Sequence, residues 1–416
     1  MNEVNNIPEG WVETTLGEIS LKKQYGYTES ASLEEIGPKF LRITDIQNDF
    51  IDWNKVPYCS INDSEFEKYR LQIGDIVIAR TGNSTGATAT VKDNVSAVFA
   101  SYLIRFQLNE EKANYKYVDF LLRSKNWFDF VNSIKSGSAQ GGANANDFAR
   151  YPIKLPKLDE QKSIAAILTS FDDKIELLQA QNKTLEELAQ TIFKEWFGKY
   201  KVGDELPDGW RVEELDGLLE LVIDYRGKTP LKLGMDWSEN GIPALSAKSI
   251  KNGKIVRRDA MNFGSEELYS IWMKDELKKG DILLTSEAPL GEMYYLNDDT
   301  RYILSQRLFA LRVNQQITSE YLYHYLNSTN GQTLLQARAS GSTVEGIRQS
   351  ELRKIEVIVP DKNILEKASI IFKNVFDKTF ANEQQIQTLT KTRDALLPKL
   401  MSGEIRVKKQ FFENFE

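Results

Sequence analysis

With 416 residues, 41% hydrophobic and 27% charged, the chain has an ordinary soluble composition and is long enough for at least two cored domains. One cysteine, Cys59, and one histidine, His324, exclude an intrachain disulfide and a cysteine-based zinc site. They also count against His-Cys, Ser-His-Asp and multi-histidine metal centres. The formal net charge of −7 argues against a nucleic-acid binder only weakly, because charge acts locally, within a Debye length of roughly 8–10 Å.

Pro8-Glu9-Gly10-Trp11 opens the first half, with Trp11 expected in a core. Strands are expected over Phe40–Ile46, Ile76–Arg80, Ala97–Phe106 and Tyr151–Leu155, and an amphipathic helix over Tyr115–Phe130. Residues 159 to 200 change character. Ile164, Phe171, Leu178, Leu185 and Ile192 recur every seven residues, with Leu168, Ile175, Asn182, Ala189 and Trp196 between them. That is an a/d seam over about five heptads, and so a coiled coil. Asn182 reads as a register device or as a solvated gap in the seam, and Asp159 as an N-cap.

The second half begins at Pro207-Asp208-Gly209-Trp210 and repeats the order. Strands are expected over Ile242–Ala247, Ile282–Ser286, Leu304–Val313 and Ile355–Val359, with a helix near Ser319–Asn327. A second long helix is expected over Asp361–Met401. Ile364, Ala368, Ile371, Val375, Leu389 and Leu396 continue a seam that Lys378, Gln385 and Thr392 interrupt, and Ile386 and Leu397 suggest a phase shift. Two helices of this length pair most economically with each other, antiparallel. No run approaches the apolar length of a membrane span and the first six residues are polar, so a cytoplasmic protein without membrane contact is expected.

The halves match in ordered markers: Gly74-Asp75-Ile76 with Gly280-Asp281-Ile282, Ser136-Gly137-Ser138 with Ser340-Gly341-Ser342, Leu155-Pro156 with Val359-Pro360, and Asp173-Lys174 with Asp377-Lys378. The expected fold is α+β: two tandem α/β domains, separated by two long helices paired as an antiparallel coiled coil, with pseudo-two-fold internal repetition. The expected segments are residues 1–156, 157–202, 203–360 and 361–416.

No catalytic constellation is present: no Walker A loop, no Gly-x-Gly-x-x-Gly and no Asn-Pro-Pro-aromatic tetrad. Glu160-Gln161-Lys162 has a nuclease-like Glu-x-Lys form, but it stands at a helix start without the strand and aspartate such sites need. What remains are polar, glycine-rich loops at matching places with unlike side chains. Asn and Gln can bond adenine, and Arg and Lys guanine, along base edges. The first half offers Tyr25, Tyr27, Arg80, Thr81, Asn83, Ser84, Lys135, Ser138, Gln140, Asn144 and Asn146. The second offers Tyr225, Arg226, Lys228, Lys248, Ser286, Arg307, Ser342, Thr343, Arg348 and Gln349.

The repeated Pro-x-Gly-Trp start, the two Gly-Asp-Ile elements, Leu-Pro-Lys-Leu-Asp-Glu-Gln-Lys at 155–162 and Leu397-Pro398-Lys399-Leu400-Met401-Ser402-Gly403-Glu404-Ile405 together resemble the specificity subunit of type I restriction-modification systems, from Pro8 to about Val407. The resemblance implies two target-recognition domains, each reading half of a bipartite, asymmetric duplex DNA site. It implies helices that set the gap and dock two methyltransferase (modification) subunits, which restriction (helicase-nuclease) subunits then join. It further implies a non-catalytic chain, with S-adenosylmethionine, ATP and Mg held by the partners. Asp361-Lys362-Asn363 departs from the Asp-Glu-Gln of 159–161. The rival expectation is a coiled-coil scaffold carrying two peptide-binding β-rich modules.

Overall fold

The computed structural model describes residues 7–47, 50–136, 142–341 and 345–407. The chain divides into two compact units, residues 1–176 with 387–416, and residues 177–386. Each unit therefore takes a piece of both long helices, the central one (Leu158–Trp196) and the distal one (Lys362–Ser402). The division falls inside those helices rather than at their ends.

The first unit holds a four-stranded antiparallel sheet in which Ser20–Tyr25, Leu103–Leu108, Ile76–Ala79 and Thr88–Thr90 lie side by side. Lys39–Leu41 pairs in parallel with Ala97–Phe99, and Val12–Thr15 pairs antiparallel with Pro152–Leu155. The second unit repeats this order with Leu219–Asp224, Leu308–Val313, Ile282–Ser286 and Leu290–Tyr295. Its parallel pair joins Ile242–Leu245 to Ile303–Leu304, and Arg211–Glu214 pairs with Glu356–Val359. The internal repeat is thus a repeat of topology.

The Gly-Asp-Ile element owes its recurrence to a turn. Gly74 and Gly280 sit at φ +91° and +95°, a backbone that glycine adopts without steric cost. The following aspartates are buried, and each accepts a backbone hydrogen bond from three residues upstream, Gln72 N to Asp75 at 2.9 Å and Lys278 N to Asp281 at 2.8 Å. Arg105 pairs with Asp75 at 3.3 Å, and Arg312 forks onto Asp281 at 2.9 and 2.8 Å. These arginines come from non-equivalent positions of the neighbouring strand: Phe106 lies opposite Ile76, whereas Leu311 lies opposite Ile282.

Several expected elements are shorter than their apolar runs. Ala97–Phe106 is two strands separated by a turn at 100–102, and Leu304–Val313 breaks in the same place at 305–307. In both units the chain leaves the parallel pair there to enter the antiparallel sheet. The strand from Phe40 ends at Leu41 and gives way to a 3-10 turn, Ile43–Asp45, and Ile242–Leu245 passes likewise into Ala247–Ser249. Tyr115–Phe130 is two helices, Tyr115–Leu121 and Lys125–Ser136, broken where Ser124 Oγ bonds Leu121 O at 2.7 Å.

Within each unit the long helices run antiparallel and their seam merges with the domain core. In the first unit Ile164, Leu168 and Leu400 join the core around Trp11, Phe106 and Trp127, while Arg393 reaches Asp172 at 2.7 Å. In the second unit Ala189, Phe193, Phe197, Leu365, Ala368, Phe372 and Val375 pack with the core around Phe309 and Tyr321. Burying the leucine, isoleucine, valine and phenylalanine side chains among these stabilises each by roughly 1.5–3 kcal/mol, so the helix ends belong to the domains as much as to a spacer.

On the central helix Ile164, Leu168, Ile175, Leu178 and Asn182 are buried, and Phe171, Leu185 and Ile192 half-buried. Trp196 is exposed at 38%; Phe193 and Phe197 carry the packing there. On the distal helix Ala368 and Val375 are buried and Leu389 and Leu396 half-buried, but the alternate row is one residue later than expected. It runs through Leu365, Phe372, Thr379, Ile386, Arg393 and Leu400, so Ile371 is only half-buried. Lys378, Gln385 and Thr392 face outward and interrupt nothing.

The central helix begins at Leu158, so Asp159 lies in its first turn rather than capping it. The two residues after it act as brackets. Glu160 accepts from Trp11 Nε1 at 3.3 Å and pairs with Arg406 at 2.6 Å. Gln161, 1% exposed, donates to Lys112 O and Pro156 O and accepts from Asn114 N, at 2.8–3.0 Å. Asp361 caps the distal helix, accepting from Asn363 N and Ile364 N at 3.0 and 3.2 Å.

Candidate nucleic-acid interface

In the first unit, three separated segments meet at one end of the sheet. Tyr25 ends a strand, Arg80 follows another, and residues 142–146 lead into the helix Ala145–Ala149. The Arg80 guanidinium lies 5.1 Å from the Tyr25 ring centroid, within cation–π reach. Tyr25 Oη accepts from Ala145 N at 3.1 Å, and Ala143 N donates to Arg80 O at 3.0 Å. Lys23, absent from the sequence candidates, donates to Asn146 Oδ1 at 2.7 Å. Arg80 Nε is buried without a hydrogen-bond partner.

Asn144 does local work: its side chain accepts from Asn146 N and Asp147 N at 2.8 and 3.1 Å, capping the helix. Thr81, Asn83 and Ser84 lie on or beside the 3-10 turn Gly82–Ser84, with Asn83 exposed. Gly86 ends this loop at φ +88°, and a Cβ there would meet the Val131 side chain at 2.5 Å, so only glycine lets the helix carrying Lys135 pack so close. Tyr27 belongs elsewhere, its ring 5.4 Å from Tyr69 and packed on the small core of Phe40, Cys59, Val98 and Ala100. Ser138 and Gln140 lie outside the described residues, as do Ser342 and Thr343.

The second unit handles its candidates differently. Arg226 forks onto Asp224 at 2.8 and 2.7 Å, donates to Ile347 O at 3.2 Å, and lies 4.2 Å from the Phe309 ring centroid. It is a bracket between a strand end and the segment before Arg348. Tyr225 Oη accepts from Asp275 N at 2.8 Å. Lys228 sits 4.3 Å over the Tyr225 ring and donates to Trp272 O at 2.9 Å; burial, then the charge of Lys274, lowers its pKa. Ser286 is buried, and its Oγ has no partner. Arg348 is exposed at the start of the turn Gln349–Leu352, with Gln349 half-buried.

A cleft of about 700 Å³ opens beside these loops. Lys228, Lys248, Arg257 and Arg307 line it together with Trp237, and Asp236 is its one carboxylate. With Arg307 paired to Glu287 at the rim, Lys228, Lys248 and Arg257 still outnumber Asp236, which gives local positive charge on an acidic chain, so the overall balance is no obstacle to binding an anion here. Among the described residues, four non-glycine positions have positive φ, and three of them, Arg257 (+54°), Ala288 (+52°) and Arg307 (+64°), line this cleft. Such backbone costs on the order of 1–3 kcal/mol per residue and persists where the surroundings hold it. Trp237 and Arg257 were not among the sequence candidates. They come from loops that only the tertiary fold brings together.

Strand register lets the two units be compared residue by residue. Leu41 and Leu245 hold equivalent places in the parallel pairs, opposite Phe99 and Leu304, so Lys248 corresponds to Thr44. Ile51 and Ile255 close equivalent hairpins against Ile46 and Ile250, so Arg257 corresponds to Trp53. Arg307 and Tyr102 immediately precede the strands Leu308–Val313 and Leu103–Leu108. Lys248, Arg257 and Arg307 are thus matched by neutral residues, Thr44, Trp53 and Tyr102, in the first unit.

Among the described residues no group of three or more His, Cys, Asp or Glu side chains is placed to hold a metal ion, and no helix is long and apolar enough to cross a membrane. The family model described as the type I restriction modification DNA specificity domain matches twice, over residues 8–187 and 207–391. The type I restriction enzyme HindI specificity subunit of Haemophilus influenzae is 22% identical, covering 95% of this chain and 99% of that protein. The MjaIX specificity subunit of Methanocaldococcus jannaschii is 26% identical over 70% of this chain and 69% of its own length. In structure, the type I restriction-modification system S subunit from M. genitalium matches with a TM-score of 0.65 at 17% identity, covering 96% of this chain and 98% of that one.

Proposed function

Because the chain belongs to the type I restriction-modification DNA specificity family, we propose that each unit reads one half of a bipartite, asymmetric duplex DNA site while the long helices set the gap between the halves. The chain is a specificity subunit: its work is recognition, and catalysis belongs to the subunits it assembles with. Two methyltransferase subunits dock on the helical regions and restriction helicase-nuclease subunits join them. S-adenosylmethionine, ATP and Mg are theirs.

One observation carries this reading. The family model matches both halves, yet equivalent loop positions hold Thr44, Trp53 and Tyr102 in one unit and Lys248, Arg257 and Arg307 in the other. A shared scaffold with unlike reading residues suits two different half-sites, since phosphate contacts position a protein while base contacts specify. A peptide-binding scaffold gives no account of the family match. Co-expression with the methyltransferase subunits, followed by mapping of methylated positions, tests the proposal. The expected product is one asymmetric two-part motif with a fixed gap, and a contiguous motif contradicts it.

A further inference from the structure

Arg307 stands at the tip of the turn between Ile303–Leu304 and Leu308–Val313. It lines both the 700 Å³ cleft and a neighbouring one of about 480 Å³, and Gln306 does the same, so these two residues form a ridge between two depressions. The Arg307 side chain is 48% exposed. Its Nε lies 2.8 Å from Glu287 Oε1 in an ion pair.

Those features separate Arg307 from the other cations of the cleft. A guanidinium tethered by an ion pair and still half-exposed can present its planar fork for two parallel hydrogen bonds to adjacent acceptors. The left-handed backbone at φ +64° fixes the direction in which the side chain leaves the turn. The Glu287 backbone is bridged to that of Gly346 in the opposite loop, which places the residue that pairs with the arginine. Lys248 and Arg257 are exposed and have no ion pair among the described residues, so no carboxylate holds their charge, which suits phosphate oxygens. In duplex DNA the adjacent acceptor pair that a guanidinium fork matches is guanine O6 and N7 in the major groove.

We propose that Arg307, positioned by Glu287, reads a guanine in the half-site of the second unit, and that the first unit, with Tyr102 in that place, reads its half-site without an equivalent contact. The inference rests on the reading of each unit as a half-site reader. Its test is methylation mapping with the full chain in complex with its methyltransferase subunits, comparing the unaltered protein with Arg307→Ala, Arg307→Lys and Lys248→Ala. Arg307→Ala is expected to make one G·C position of one half-site degenerate, with discrimination there falling about 10- to 100-fold. Arg307→Lys keeps the charge and loses the fork, and is expected to relax the same position. Lys248→Ala is expected to weaken all sites alike and to lower the salt dependence of binding. A uniform loss across all positions with Arg307→Ala, or relaxation at an A·T pair, overturns the inference. An unaltered protein that methylates no two-part motif overturns the half-site reading as well, so the two failures are distinguishable.

Discussion

The Asn182 side-chain oxygen accepts a 2.8 Å hydrogen bond from the Asn382 amide, across two antiparallel helices and 200 positions of sequence. Both residues are 1% exposed, and the Asn182 amide donates onward to Thr379 O at 3.3 Å. A buried amide pair fixes register because any slip strands both polar groups in an apolar seam. Replacing one partner, by Asn182→Leu or Asn382→Leu, is expected to cost about 1–3 kcal/mol by leaving the other unsatisfied. The double variant is expected to recover much of that loss. Denaturation of all four proteins closes the cycle, and additive single losses would show that the pair is not a unit.

The two helix starts predict unequal sensitivities. Gln161 satisfies two carbonyls and one amide in a buried position, so Gln161→Ala is expected to destabilise by roughly 1–3 kcal/mol. Asn363, in the corresponding place, is exposed, and Asn363→Ala is expected to stay within about 0.5 kcal/mol. Thermal unfolding of the two variants separates them.

These brackets also show how far the sequence could be read. The repeat, the Gly-Asp-Ile turns and the antiparallel pairing of the helices were legible because glycine geometry and heptad spacing act locally. The alternate row of the distal seam was not. Ile364 and Leu365, and Ile371 and Phe372, are adjacent apolar pairs, and only packing on the domain core selects the second of each. Among the loop candidates, Arg226 and Asn144 carried the right chemistry but spend it on Asp224 and on a helix cap. Arg257 and Trp237 were invisible because the cleft draws its walls from segments far apart in the chain.

Arg226 gives a direct check on that distinction. With its fork on Asp224 and its face on Phe309, Arg226→Ala is expected to cost about 1–3 kcal/mol of stability. The methylated motif should keep every position. Loss of a base preference would instead make Arg226 a reader.

His324, the chain's one histidine, sits among Phe193, Phe372 and Phe376, with Nε2 buried and unpartnered. Burial lowers its pKa from 6.5 to about 3. The unfolded chain takes up a proton near pH 6.5 that the folded chain refuses. Its contribution to stability is therefore complete above that pH and lost as pH falls toward 3, by up to about 1.4 kcal/mol per pH unit. His324→Phe is expected to remove this part of the acid sensitivity, measured as the difference between the unfolding curves at pH 6.5 and pH 5. An imidazole NMR signal that titrates above pH 5.5 in the folded protein would contradict it.

The central claim is that two like scaffolds read two unlike half-sites independently. Its most direct test replaces residues 8–155 with the corresponding segment of a specificity subunit of different target, then maps methylation by the assembled complex. The account predicts that one half of the motif takes on the donor's sequence while the other half is unchanged. A change in both halves, or in neither, would contradict it.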